Sequence, residues 1–323
     1  MRIVFMGTPD FSVPTLEALL AAGHEIALVV TQPDRPKGRH GAPAASPVKE
    51  AACAHGLTVY QPERIRDPEC VDYIKQQDAD IIVVVAYGQI LPEEILAAPR
   101  FGCVNVHASL LPKYRGAAPI QWAVINGEEV TGVTTMRMDA GLDTGDIILT
   151  EEVALAPDET GGSLFEKLSE VGARLCVRTL AAIADGSATY TPQDSAQATK
   201  TKTIKKEMGR LDWTKPAVEL ERLVRGLDPW PGTYTHWNGK TLKIRKAAVR
   251  EACGTAAPGA DAQAAGAGKP QPGTIVEVTR DAIAVQTGEG LLVLKEVQPE
   301  GKKPMSCDAF LRGYSMKTGD ILG

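Results

Sequence analysis

Between Cys103 and Pro112 the chain reads CVNVHASLLP, a strand-like run that carries Asn105 and His107 two residues apart. Alternation along a strand puts both on one face, where Ser109 can join them. An amide N–H beside an imidazole suits acyl chemistry: the amide can stabilise a developing oxyanion while the imidazole donates a hydrogen bond or handles a proton. The plainer alternative is that Asn105 and His107 cap the end of a strand. A second cluster, MDAGLDTGDI from Met138 to Ile147, is a glycine-rich acidic loop. Its carboxylates can orient His107, relay a proton, bind a cation, or only stabilise a turn. One histidine beside oxygen ligands is a thin donor set for a metal, and none is expected. Ser109 lacks the GxSxG setting of an activated nucleophile.

These residues need a frame that brings loops together. From residue 1 to about 185, apolar β-rich runs (Arg2–Met6, Glu25–Thr31, Asp80–Ala86, Gly102–Val106, Gly132–Met138) alternate with amphipathic runs (Val13–Ala22, Pro47–His55, Pro92–Ala97, Ile120–Asn126). That alternation predicts an α/β domain with a mainly parallel, Rossmann-like sheet whose ligands sit at the carboxyl ends of the strands. A longer helix is predicted from Ser163, as N-cap, to Asp185, with Gly186 as its stop. The first strand-to-helix turn, Met6 to Phe11, has one glycine and no lysine, so it is neither a dinucleotide fingerprint nor a P-loop. Gly7 there is expected to serve a tight turn.

Beyond a polar, lysine-rich stretch (190–209) the pattern changes to one helix, Ala217–Arg225, and five short strands: Gly232–Trp237, Lys240–Ala248, Gly273–Thr279, Ala282–Thr287 and Gly290–Val297. This fits a small β-barrel of the oligonucleotide-binding type. The division expected is a catalytic domain over 1–189, a basic linker over 190–209 and an OB-like domain over 210–323. The Ala/Gly/Pro-rich run Cys253–Pro272 reads as a mobile loop within that last domain, with no function assigned.

Charge follows the same division. There are 15 basic and 25 acidic residues up to Thr189, but 20 basic and 15 acidic beyond it. Lys200, Lys202, Lys205, Lys206 and Arg210 face only Glu207. Such a segment suits a polyanion or an ordinary solvated linker. The six cysteines are scattered without a CxxC pair, which argues for reduced thiols rather than a disulfide framework or a zinc finger. No apolar run approaches the roughly 18 residues of a membrane span, and the strand-like MRIVFMG is no signal peptide. A cytoplasmic protein, without membrane contact and acting as a monomer, is expected.

Several motifs together resemble the folate-dependent formyltransferase family over nearly the whole chain. They are FMGTPDF, VVTQPDRPKGR, SPVK, VVVAYGQILP, NVHASLLPKYRGAAPIQWAVINGE and TGVTTMRMDAGLDTGDI, followed by RLDW and DPWPGTY. The last two and the basic C-terminal module resemble the tRNA-modifying branch. The resemblance implies transfer of the formyl group of 10-formyltetrahydrofolate to the amino group of methionine on initiator tRNA, for translation initiation. It implies that Asn105 and His107 stabilise the oxyanion and that Asp143 holds His107 and helps take the amine proton. It also implies that Ser109, Leu110, Leu111 and Pro112 lie along the folate. Ala86, Tyr87, Gly88, Gln89 and Ile90, with the Asp139 and Ala140 backbone, would form the pterin pocket. Arg39, in a loop (34–47) that resembles the family's tRNA-wedging insertion, is expected to meet the acceptor end, with the lysines of 200–206 and Arg210 gripping the tRNA. Two alternatives are a formyltransferase for a small amine, which needs only about 190 residues, and a non-catalytic RNA-binding relative.

Overall fold

The computed structural model describes residues 1–36, 43–251 and 270–323; the readings placed on Arg39 and on 253–269 lie outside them. The chain forms two compact units. The first contains Met1–Pro119, Glu129–Leu155 and Ser163–Lys202, the second Ile120–Glu128, Ala156–Gly162 and Thr203–Gly323.

In chain order the first unit begins with β1 (Arg2–Gly7), α1 (Val13–Ala21), β2 (Glu25–Val30) and the short paired strands β3 (Arg35–Pro36) and β4 (Pro43–Ala44). There follow α2 (Pro47–Ala54), β5 (Val59–Tyr60), α3 (Pro68–Lys75), β6 (Ile81–Val85), α4 (Glu93–Leu96), β7 (Cys103–His107) and β8 (Arg115–Gly116). After α5 (Pro119–Asn126), nearly all of which belongs to the second unit, come β9 (Val130–Arg137), β10 (Ile147–Ala154), α6 (Gly161–Asp185) and β11 (Lys200–Thr201). The sheet order is β10-β9-β7-β6-β1-β2-β5. The strands from β7 to β5 are parallel, whereas β9 runs antiparallel to β7 and β10 antiparallel to β9.

The mainly parallel sheet therefore matches the expectation, with one consequence for the site. Because β9 is reversed, the acidic loop that follows it leaves the sheet beside Cys103, whose carbonyl accepts from Met138 N–H at 2.8 Å. It starts at the opposite edge from the loop after His107. The sequence reading omits β5, α3 and β10. β10 is an edge strand whose ILTEEVA segment exposes alternate residues, so it carries no unbroken apolar run.

The sheet has two unlike faces. On one, Val4, Met6, Leu28, Val30, Ile82, Val84 and Cys103 pack with Ile65, Val71, Ile74 and Ile95 into a dry cluster. On the other lies α6, where Gly172 makes close approach possible: a Cβ there would meet Val106 Cγ1 at 3.0 Å. Thr179 and Thr135 link hydroxyls at 2.8 Å across this interface. Helix α6 starts at Gly161, so Ser163 stands in its first turn rather than at the cap. The reason is backbone packing: Gly162 N–H donates to Asp228 C=O at 2.9 Å, and a Cβ on Gly161 would meet Gly226 O at 2.5 Å. The helix does stop before Gly186, at φ +78°.

The second unit contains α7 (Ala217–Gly226), β12 (Thr233–Trp237), β13 (Lys240–Arg250), β14 (Ile275–Val278), β15 (Ile283–Gln286), β16 (Leu291–Pro299), β17 (Met305–Ser306) and α8 (Cys307–Gly313). Its antiparallel sheet has the order β12-β13-β16-β15-β14, with β17 added on β16. Asn238 and Gly239, both left-handed, make the two-residue turn of the β12–β13 hairpin. The core combines sheet residues such as Leu242, Ile283 and Leu294 with Leu220 and Val224 of α7 and Phe310 of α8. The RLDW motif divides by alternation: Leu211 and Trp213 enter this core, while Arg210 and Asp212 stay exposed. Beyond the five expected strands the structure adds β17 and α8, whose cap is Ser306 accepting from Ala309 N–H at 3.4 Å.

Among the described residues no helix is long and apolar enough to cross a membrane. Burial pushes the thiols of Cys103, Cys176 and Cys307 up to about 12. Gly172→Val should lower the unfolding free energy by about 1–3 kcal/mol through overpacking against Val106, read as a reduced urea midpoint.

Candidate active site

Cys103, Asn105 and His107 alternate onto the same sheet face, so the apolar cluster of that face gives way to polar groups at the end of β7. His107 is 6 % exposed. Its Nε2 lies 3.0 Å from the carbonyl oxygen of Tyr114. A carbonyl can only accept, so Nε2 carries a proton and Nδ1 is the nitrogen left to act. Nδ1 faces Asp143 Oδ2 at 3.8 Å. The same Oδ2 accepts Gly116 N–H at 2.8 Å, which fixes the carboxylate. The acidic loop, starting beside Cys103, thus arches back over the face to reach His107. Asn105 is half-buried, and among the described residues no hydrogen bond engages its side-chain amide. The pair at spacing two is therefore no simple strand cap: the imidazole is oriented from both sides and the amide is available.

The surrounding backbone is strained in the same places. Six described non-glycine residues have positive φ, and four of them, Ala86, Tyr114, Ala118 and Asp143, lie in the loops that meet here. Strain of this kind persists where neighbours over-determine the conformation, and it clusters at working sites.

Polar side chains supply those constraints. After β6, the Tyr87 carbonyl accepts from Thr8 Oγ1 at 2.9 Å and Gln32 Nε2 at 3.2 Å, while Gln89 Oε1 accepts Ile65 N–H at 2.8 Å. The Tyr87 ring is buried, and burial raises the pKa of its hydroxyl, which has no hydrogen-bond partner among the described residues. Ala86 and Gly88 are exposed, and Ile90 is 80 % exposed. After β7, Ser109 is buried with its hydroxyl donating to Lys113 C=O at 2.8 Å, so it is unavailable as a nucleophile. Thr134 of β9 donates to Ser109 C=O at 2.7 Å and accepts Leu111 N–H at 3.1 Å. Leu111 is buried, Leu110 packs towards Gly132, and Pro112 is half-buried. In the acidic loop Asp139 caps the turn by accepting from Gly141 N–H and Thr144 Oγ1, beside exposed Ala140 and Leu142. Gly7 ends β1 against Ser12, whose hydroxyl donates to Val85 C=O at 2.6 Å; a Cβ on Gly7 would meet Ser12 Cβ at 2.8 Å, so the constraint seen there is close packing rather than the tight turn expected.

The basic residues occupy two places. Lys200 and Lys202 are exposed on and beside β11 in the first unit. Lys205, Lys206 and Arg210 are exposed in the second, where Arg210 borders a cleft of about 540 Å³ with Asp212, Lys215, Glu219 and Arg222. Thr214 holds the Asp212 carboxyl below the ordinary carboxylate range. That cleft contains none of Asn105, His107 or Asp143. Among the described residues no three His, Cys, Asp or Glu side chains gather as metal ligands would.

Comparison with known proteins connects this geometry to a family. The formyl transferase pattern matches residues 1–180 and the formyl transferase C-terminal domain matches 203–315. A methionyl-tRNA formyltransferase of Agathobacter rectalis is 59 % identical over 99 % of both chains, and one of Lachnospira eligens is 52 % identical over the whole of both. The chain belongs to the methionyl-tRNA formyltransferase family. A sugar 3N-formyl transferase, WlaRD, solved with dTDP and 5-N-formyl-THF, shares the fold at TM-score 0.64 and 18 % identity, over 94 % of this chain and 99 % of its own.

Sequence reasoning misses the side chains that hold the site's loops in this formyltransferase: Thr8, Gln32, Thr134 and Gln193. Each acts on a backbone group distant in sequence, and no local pattern announces that. Thr134→Val would leave the Ser109 carbonyl and Leu111 N–H without their partner. It should destabilise the protein by about 1–3 kcal/mol, measured by denaturant titration.

Proposed function

We propose that the chain transfers the formyl group of 10-formyltetrahydrofolate to the α-amino group of methionyl initiator tRNA. The observation that carries this reading is full-length identity of up to 59 % with relatives that bear the methionyl-tRNA formyltransferase name. The second unit, matched by the formyl transferase C-terminal pattern, favours it over a one-domain enzyme for a small amine. The free Asn105 amide beside an oriented His107 favours catalysis over RNA binding alone.

Exposed apolar side chains support a folate at this site: Ile90 and Leu142 expose 80 % and 61 % of their surface, which a flat ring system would cover. Ala86, Gly88, Asp139 and Ala140 are exposed nearby in sequence for a pterin edge, and Ser109–Pro112 would lie along the rest of the donor.

The bound donor supplies an N-formyl carbonyl for attack by an amine; as the new C–N bond forms, the carbon's bond to the donor nitrogen breaks, and that nitrogen takes up a proton as tetrahydrofolate leaves. Asn105 donates an amide N–H to the oxygen on which negative charge develops, and His107, with Nε2–H held by the Tyr114 carbonyl, stabilises the same oxygen through a proton carried on Nδ1 beside the Asp143 carboxylate. Asp143, fixed by Gly116 N–H, keeps the imidazole oriented and, through water, accepts the proton released by the attacking amine. Lys200, Lys202, Lys205, Lys206, Arg210 and Arg39 contact the tRNA. Catalysis belongs to 1–189, and 190–209 joins it to a tRNA-binding module at 210–323. The protein acts in the cytoplasm as a monomer.

The test is formyl transfer from 10-formyltetrahydrofolate with initiator methionyl-tRNA, elongator methionyl-tRNA and free methionine as acceptors. Transfer to the initiator alone, weakening steeply with salt, is expected; transfer to free methionine at the same rate would contradict the reading. Asn105→Ala should lower kcat by about 10²–10³-fold.

A further inference from the structure

Residues 190–202 leave α6 and return to the loops that carry the candidate catalytic groups. Thr191 exchanges backbone hydrogen bonds with Ile147 at 2.8 and 2.9 Å. Further on, Thr199 accepts Arg115 N–H at its carbonyl (2.9 Å) and Tyr114 N–H at its hydroxyl (2.8 Å), and β11 pairs with β8. Between these two attachments stands Gln193. Its Nε2 donates to the carbonyls of Asp143 (3.0 Å) and Gly145 (2.7 Å). Its Oε1 accepts from Nε and Nη2 of buried Arg115 at 2.9 and 2.7 Å.

One amide thus joins the backbone of Asp143 to Arg115. That arginine lies between Tyr114, whose carbonyl accepts from His107, and Gly116, whose N–H binds the Asp143 carboxylate. Asp143 itself has φ +53°, a conformation that needs outside support in a residue other than glycine.

We propose that Gln193 is a positioning residue: through the Asp143 carbonyl and the Arg115 guanidinium it sets the Asp143 carboxylate against His107. The proposal rests on the formyl-transfer reading given above. Only an amide satisfies both sides, because two carbonyls need a donor and a guanidinium needs an acceptor. Leucine would leave both unpaired. Glutamate would keep an acceptor for Arg115 but set a carboxylate against two carbonyl oxygens.

The experiment measures kcat and KM for donor and for tRNA in the wild-type chain, Gln193→Leu, Gln193→Glu, Asp143→Asn and the double variant Asp143→Asn/Gln193→Leu. In parallel, the His107 ring resonances are followed by NMR in the free proteins. Both Gln193 variants should lose about 10- to 100-fold in kcat with KM for tRNA unchanged. Gln193→Leu should displace the His107 resonances in the direction that Asp143→Asn does. The double variant should be no slower than Asp143→Asn alone, since residues acting as one unit are not additive. Full kcat in both Gln193 variants would overturn the proposal. So would losses that multiply with that of Asp143→Asn, or a raised KM for tRNA at unchanged kcat. If Gln193→Leu fails to fold by circular dichroism, Gln193→Glu, which retains the Arg115 contact, carries the comparison. A wild-type chain that transfers no formyl group overturns the functional reading instead, and the His107 resonances then decide the role of Gln193.

Discussion

Everything at this site depends on which nitrogen His107 presents. The Tyr114 carbonyl accepts from Nε2, which removes that nitrogen from the chemistry and turns Nδ1 toward Asp143. A ring free to flip would offer either nitrogen and lose the orientation that general acid–base work needs. The parts that hold this choice come from three places in the chain: β7 carries the ring, the loop around β8 carries the carbonyl, and the loop after β9 carries the carboxylate. Their convergence explains why Tyr114, Ala118 and Asp143 accept left-handed backbone.

The sheet supplies the rigidity that such convergence requires. One face is an apolar cluster up to Cys103, and along β7 it becomes polar at Asn105 and His107, so these two groups stand on a packed wall. The opposite face is closed by α6, with Gly172 letting the helix approach Val106, the residue between the two polar ones. The loops themselves are surface segments. A few polar side chains stiffen them by bonding to backbone groups remote in sequence: Thr8 and Gln32 on Tyr87, Thr134 on Ser109 and Leu111, Gln193 on Asp143 and Gly145. Ile90 and Leu142, in two of these loops, leave their apolar side chains uncovered.

Much of this is legible in the amino-acid sequence. Unbroken apolar runs announce β1, β2 and β6 because both faces of those strands are covered, and in β7 the spacing of Asn105 and His107 follows from strand geometry alone. The direction of β9 was not legible, because an apolar run has the same composition whichever way it pairs, and with it went the path of the acidic loop. β10 escaped because in an edge strand exposed residues, here Thr150, Glu152 and Ala154, alternate with half-buried ones. The stretch 190–209 reads as a basic linker because Lys200, Lys202, Lys205 and Lys206 cluster at its end, whereas Gln193 and Thr199, which tie its first part to the site, act through long-range hydrogen bonds that leave no periodic trace. Ser109 reads as a candidate side chain in sequence, yet its hydroxyl is bound within its own loop.

The central claim is that the oriented imidazole serves the chemical step rather than donor binding. The most direct measurement is the single-turnover rate of His107→Gln at saturating 10-formyltetrahydrofolate and methionyl initiator tRNA, with donor affinity determined separately by calorimetry. The rate is expected to fall at least about 100-fold while donor affinity is retained. An unchanged single-turnover rate would contradict the account.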